Sequence, residues 1–266
     1  MKKRTLLQLL AMGSIVAPLA WGAPGDPGTG LAGSHHDFTA GSPHLAYTPG
    51  AALNADGEAI DNVGLCTYCH TPHKAPSTRL LWNHKLSTQT FTWDVPSTTA
   101  GTTLPPIDGQ TYNGATAKCL SCHDGTVAIG DVALFAETPA ITLESQTMVD
   151  DEPFFVMTNG GGNLGGNHPV AVPYPFNNVA NTYNGATTGA GAELDEWQPD
   201  PAANGIRLFT DEGGGVIHAG ATAGQTGIEC SSCHDPHNKK SVDDLFLRGN
   251  LAGNDSNYLC LKCHNK

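Results

Sequence analysis

The chain has 266 residues, a formal net charge of −12, 39% hydrophobic and 14% charged residues, with 32 Gly, 18 Pro, 8 Cys and 12 His. So low an apolar share, with so much Gly and Pro, leaves too little material for a wide aliphatic core or for long unbroken helices and strands. The acidic balance, without any basic run, argues against nucleic acid as a partner, because phosphate binding needs clustered Lys and Arg.

Lys2, Lys3 and Arg4 precede an apolar stretch from Leu6 to Ala20, and the small residues Ala20 and Gly22 flank Trp21 ahead of Ala23. This pattern predicts a cleaved export signal over residues 1–22. A membrane anchor fits less well: the stretch is shorter than the roughly 20 residues of a spanning helix, and Gln8, Gly13, Ser14 and Pro18 interrupt it. Processing leaves residues 23–266 as a single domain. No later segment is expected to span a membrane, so the expected location is exported, either extracellular at the cell surface or periplasmic. His35, His36 and His44 come next, with Asp37 beside His36 as an acceptor for a ring nitrogen. Asn54-Ala55-Asp56-Gly57-Glu58 reads as a polar turn, since a calcium loop would need its full spacing and terminal Glu.

The first cysteines form Cys66-Thr67-Tyr68-Cys69-His70, and the pattern recurs at Cys119 to His123, Cys230 to His234 and Cys260 to His264. All eight cysteines are thereby used. Exported proteins with an even cysteine count usually carry disulfides, but every pair here is C-x-x-C followed at once by His, the signature of covalent c-type haem attachment. Thiols three residues apart share one face of a helical turn and can form thioethers with the two vinyl groups of one porphyrin. The next residue then supplies the proximal iron ligand: His70, His123, His234 and His264. Zinc in Cys₄ sites would not require a histidine after each pair. Four covalently bound c-type haems are the predicted cofactors.

His73 follows the first motif in C-x-x-C-H-x-P-H, and His237 repeats that arrangement after the third. Each haem plane prevents such a residue from reaching its own iron, so His73 and His237 are expected as distal ligands on a neighbouring haem, the next in the same pair. Leu80-Leu81-Trp82-Asn83 follows, with His84. Trp82, Phe91 and Trp93 are expected to pack around haem. The order of motifs is a haem pair over 66–123, a haem-free insert over 124–229, and a second haem pair over 230–264, consistent with a duplicated two-haem unit.

In the insert, turns and a few short strands are expected, with Val127 to Leu134 and Phe154 to Met157 as candidates. Met148 and Met157 read as buried gap-fillers rather than axial thioethers. His168, in Gly165-Gly166-Asn167-His168-Pro169, is a distal candidate because Gly lets the backbone approach a ring and Pro fixes its exit. His36 is the fourth; His35, His44, His84 and His218 are reserves. The clearest helix is the last, capped by Asp255 or Ser256 and carrying Tyr258, Leu259 and Leu261 into the fourth motif. The predicted fold is therefore a loop-rich multihaem cytochrome c with little regular secondary structure: short helices at the haem motifs, a few short strands, and a haem stack as core.

Leu65 to His73, Leu80 to Asn83, Cys119-Leu120-Ser121-Cys122-His123-Asp124-Gly125-Thr126, Cys230 to His237 and Leu259 to Lys266 together resemble the doubled C-x-x-C-H multihaem cytochromes of metal-reducing bacteria. Haem count and length are similar to those of outer-surface tetrahaem cytochromes that polymerise into extracellular nanowire filaments. The resemblance implies bis-His haems in a continuous chain, redox partner proteins or extracellular acceptors such as metal oxides, and a homopolymer in which a histidine of one subunit ligates a haem of the next.

Electron carriage without substrate chemistry is the expected function, since eight spare histidines suffice to fill the sixth position of every iron. A diffusing periplasmic shuttle shares that chemistry. A multihaem enzyme would keep one iron open, and no motif here ends in anything but His.

Overall fold

The computed structural model describes residues 23–39, 64–72, 75, 79–92, 113–126, 131–132, 141–142, 162–179, 193–213, 216–243, 245–253 and 255–265. The export signal, His44, Asn54 to Glu58, His73, Trp93, Met148 and the candidate strand from Phe154 to Met157 lie outside these residues.

Regular structure is sparse, as the composition requires. Helix α1 spans Ala115–His123 and contains the second motif. Ala115, Ala117, Lys118 and Leu120 favour helix, and Gly125, at φ 76°, ends it in the left-handed conformation that glycine adopts without penalty. Asp124 explains the rest of the C-H-D-G-T sequence. Its buried carboxylate accepts from the Thr126 amide and hydroxyl, at 2.8 and 2.7 Å, and from the Ser87 hydroxyl. Helix α2, Cys230–Cys233, is a single turn on the third motif.

The fourth motif lies in a 3₁₀ turn, Leu259–Lys262, with Tyr258 rather than Asp255 or Ser256 at its N-cap. Asp255 makes a preceding turn, in which its carboxylate and carbonyl accept the Asn257 and Tyr258 amides. The first motif has hydrogen-bonded turns in place of a helix.

Of the candidate strand over Val127 to Leu134, Asp131–Val132 forms β1, antiparallel to β2, Ile141–Thr142. Four further strands form one antiparallel sheet: β3 (Val172–Pro173), β4 (Phe209–Asp211), β5 (Ile217–Ala219) and β6 (Thr226–Ile228), in the order β3-β6-β4-β5. Its register pairs Val172 with Ile228, Phe209 with Gly227 and Thr210 with His218.

Among the described residues, apolar packing forms two small clusters. One joins Ala117 and Leu120 of α1 to Phe91, Leu164, Ala171, Phe209 and Ile217. The other joins Val172, Tyr174, Ile206, Leu208 and Ile228 to Trp197, Leu259 and Cys263. The sheet thus carries the second motif through α1 and the fourth through the Tyr174 cluster. Phe91, expected beside haem, belongs to the first cluster.

Candidate functional site

The first and third motifs are built alike. The amides of His70 and His234 donate to the carbonyls of Cys66 and Cys230, at 2.9 and 3.0 Å. Each motif is then clasped by a loop. Thr71 N–H donates to Leu81 O and Asn83 N–H to Cys69 O, at 2.8 and 2.9 Å; Asp235 N–H donates to Phe246 O and Arg248 N–H to Cys233 O, at 2.7 and 2.8 Å.

Each loop also offers a carbonyl to the proximal ring, with Nδ1 of His70 2.6 Å from Leu80 O and Nδ1 of His234 2.7 Å from Leu245 O. A carbonyl only accepts, so Nδ1 carries the proton and Nε2 keeps the lone pair a metal needs. Both loops achieve this with consecutive left-handed residues, Leu80 and Leu81 at φ 60° and 52°, Leu245 and Phe246 at 59° and 61°. That conformation costs a non-glycine residue about 1–2 kcal/mol. It persists because the flanking hydrogen bonds over-determine it. Sequence reading saw neither loop as a functional element, although both place a leucine about ten residues after the proximal histidine.

Three histidine pairs follow. The rings of His70 and His237 lie 6.2 Å apart at 21°, those of His36 and His123 6.1 Å apart at 55°, and those of His168 and His264 6.4 Å apart at 59°. Two imidazoles bonded to opposite sides of one metal, at about 2 Å each, have centroids about 6 Å apart. The spacing of the chain placed His237 on the haem next in its own pair; the ring instead faces His70, because the Pro236 turn directs it across to the first motif rather than along to the fourth. His73, its counterpart, lies outside the described residues.

His36 is delivered by the N-terminal arm. Asn238, buried and at φ 52°, accepts from Gly28 N–H at 3.1 Å and donates to the carbonyls of Asp26 and Gly30 at 2.8 and 3.1 Å. The His36 ring stacks on Phe246 at 4.5 Å, and its Nδ1 bonds to Pro236 O at 3.2 Å. Asp37 was expected to hold that nitrogen; its carboxylate turns back to the Gly33 and Thr39 amides, 2.7 and 3.1 Å away. Burial, then the neighbouring His123, lowers the His36 pKa to about 4, so the ring is neutral at physiological pH.

His168 is held by a pairing of Gly162 to Leu164 with Thr92, through bonds of 3.0 and 2.9 Å. Its Nδ1 lies 2.9 Å from Pro169 O. Among the reserves, His84 is buried with Nδ1 3.1 Å from Lys85 O. His218 on β5 puts Nε2 2.8 Å from Glu212, and His35 turns its edge to Phe246 at 6.5 Å.

All eight thiols are free. Burial pushes Cys69, Cys122 and Cys263 up to about 12 and Cys233 to about 11. A protonated thiol is the form that adds S–H across a vinyl group, the chemistry of c-type attachment. Among the described residues no three His, Cys, Asp or Glu side chains gather into a metal cluster. The three imidazole pairs fit ligation of an iron by two histidines. Two orphaned donors fit the same group. Trp82, edge-on to His70 at 5.9 Å, and Trp197, 4.5 Å from His264, each have a buried indole N–H without a protein acceptor. Each suits a porphyrin carboxylate.

Residues 218–266 match the family of the doubled CXXCH motif. The match covers the second motif pair and supports a haem-binding, electron-transferring c-type cytochrome, hence an exported one. No curated protein matches the chain. Among the described residues, no helix is long and apolar enough to cross a membrane.

Proposed function

We propose that the protein is a tetrahaem electron carrier in which every iron has two histidine ligands. The observation that carries this reading is the set of three ring pairs at 6.1–6.4 Å, each joining a motif histidine to one from a distant segment. When bound, each haem supplies an iron that gains or loses one electron without bond rearrangement at the metal.

The chain's own residues do the rest. Cys66, Cys69, Cys119, Cys122, Cys230, Cys233, Cys260 and Cys263 anchor the four porphyrins. His70, His123, His234 and His264 ligate from one side; His237, His36 and His168 close the first, second and fourth irons. By the repeat of C-x-x-C-H-x-P-H in the sequence, His73 is the candidate ligand for the remaining iron. The indoles of Trp82 and Trp197 hold porphyrin carboxylates, and the porphyrins supply the core that the two small apolar clusters do not.

With every sixth position filled, no site is left for substrate chemistry. Acceptors are redox proteins or metal oxides outside the inner membrane. Assembly into a homopolymer then uses contacts other than ligand exchange through His36, whose ring already faces His123 of its own chain.

Intact mass of the exported protein should show four haem additions, and the oxidised spectrum should be low-spin throughout. Fewer additions would remove the four-haem count, and carbon monoxide binding by the reduced wild-type protein would remove the closed coordination.

A further inference from the structure

The one fully buried glutamate beside a motif cysteine is Glu229, 0% exposed. It precedes Cys230 and is the N-cap of α2, where its side chain accepts from the Ser232 amide while the Ser232 hydroxyl accepts the Glu229 amide at 2.9 Å. Its Oε2 also accepts the Thr116 amide of α1 at 2.7 Å, and the Thr116 hydroxyl returns a contact by accepting the Cys230 amide at 3.2 Å. One carboxylate thus caps the N-termini of both motif helices, 113 residues apart in the chain. The two motif helices pack directly against one another there.

A buried carboxylate is costly unless donors surround it. Here the donors are amides at two helix starts, where partial positive charge accumulates. A glutamine keeps one carbonyl oxygen that can accept the Thr116 amide but carries no negative charge.

We infer that Glu229 is a positioning residue for the second and third haems, clamping their attachment helices together and holding a fixed negative charge at their junction. This rests on the haem reading above. A fixed negative charge near an iron favours the ferric state, so Glu229 lowers the potentials of these two haems relative to the other two. The helix contact brings the second and third motifs together, so this junction links the first motif pair to the second.

The test uses holoprotein with Glu229→Gln, Glu229→Asp and Glu229→Ala. Glu229→Gln should keep four haems by mass and a low-spin spectrum, while two of the four midpoint potentials rise and two stay in place. Glu229→Asp keeps the charge but shortens the reach, so potentials should hold while hydrogen exchange at the Thr116 amide accelerates. Glu229→Ala should lose both and lower the holoprotein yield. Four unmoved midpoints in Glu229→Gln would overturn the charge role. If Glu229→Gln does not assemble, raised midpoints or unchanged Thr116 exchange in Glu229→Asp would overturn the inference. A wild-type protein without four six-coordinate haems would fail the functional reading instead, and shows itself before any variant is made.

Discussion

His70 and His237 present nearly parallel rings to one another, 6.2 Å apart, although one belongs to the first motif and the other follows the third. The second motif pair therefore sets a histidine ring against His70 of the first. Removing the His237 ring should leave the first iron, not the fourth, with an open position. The expected result for His237→Ala is a high-spin signal from one haem in four and carbon monoxide binding at a single site. Deleting Cys66 and Cys69 in the same chain should abolish that binding. If it persists there, the cross-motif pairing is wrong.

The arm that carries His36 is held by one side chain. Asn238 ties Gly28, Asp26 and Gly30 to the third motif, and net hydrogen bonds of this kind contribute about 1 kcal/mol each. Asn238→Ala should therefore cost about 2–3 kcal/mol and free the arm without touching any iron. Limited proteolysis should then cut within residues 23–36, and the haem opposite His36 should become partly high-spin. An Asn238→Ala chain with an intact arm and an unchanged spectrum would contradict this role.

How much of this was legible in the sequence follows the range of each interaction. Cys119-Leu120-Ser121-Cys122-His123-Asp124-Gly125 announces its helix and its end, because attachment spacing and C-terminal glycine are local signals. The sparse, short elements follow from the Gly and Pro content. What was not legible is long-range. Glu229 looks in sequence like an ordinary acidic residue before a motif, and only folding puts the Thr116 amide against it. Nothing near His237 says which motif its turn will face, and Asp255, a good cap by composition, is outcompeted because the fourth motif winds into a 3₁₀ turn starting at Tyr258. The loops at Leu80 and Leu245 were hidden for a different reason: leucine is a poor residue for positive φ, so propensity argues against the conformation that tertiary hydrogen bonds impose.

Gly162 sits at φ 78° and packs its α-carbon against the Thr90 carbonyl, where a β-carbon would collide. The same residue accepts the Thr92 amide at 3.0 Å, fixing the segment that leads to His168. Gly162→Ala should combine backbone strain with overpacking, a loss of about 1–3 kcal/mol. Gly166→Ala is the control, since its β-carbon would meet open space while φ is also positive, at 85°. Thermal melts of the holoproteins should rank wild type, Gly166→Ala, Gly162→Ala. Equal melting points for the two variants would show that the Thr90 contact yields.

Asp235 gives the H-D-P-H turn a pH dependence of known sign. Burial alone would raise its pKa, but the amides of Lys240 and Lys239, 2.5 and 2.8 Å from Oδ2, together with Arg248, 3.5 Å from Oδ1, outweigh that and hold the carboxyl below its usual range. A carboxylate depressed on folding stabilises the protein at every pH above the unfolded value near 4, and the contribution is lost as pH falls through the lower folded value. The stabilising proton balance therefore lies on the neutral side. Asp235→Asn keeps the shape and most of the amide acceptors but removes the charge, so it should lower the melting point at pH 7 and lose less than wild type does between pH 5 and pH 3. Because this turn aims His237 at His70, the same variant should weaken the low-spin signal of the first haem at pH 7, while wild type shows that weakening only in acid. Parallel melting curves for the two proteins from pH 7 to pH 3 would mean that the Asp235 charge does not hold the turn.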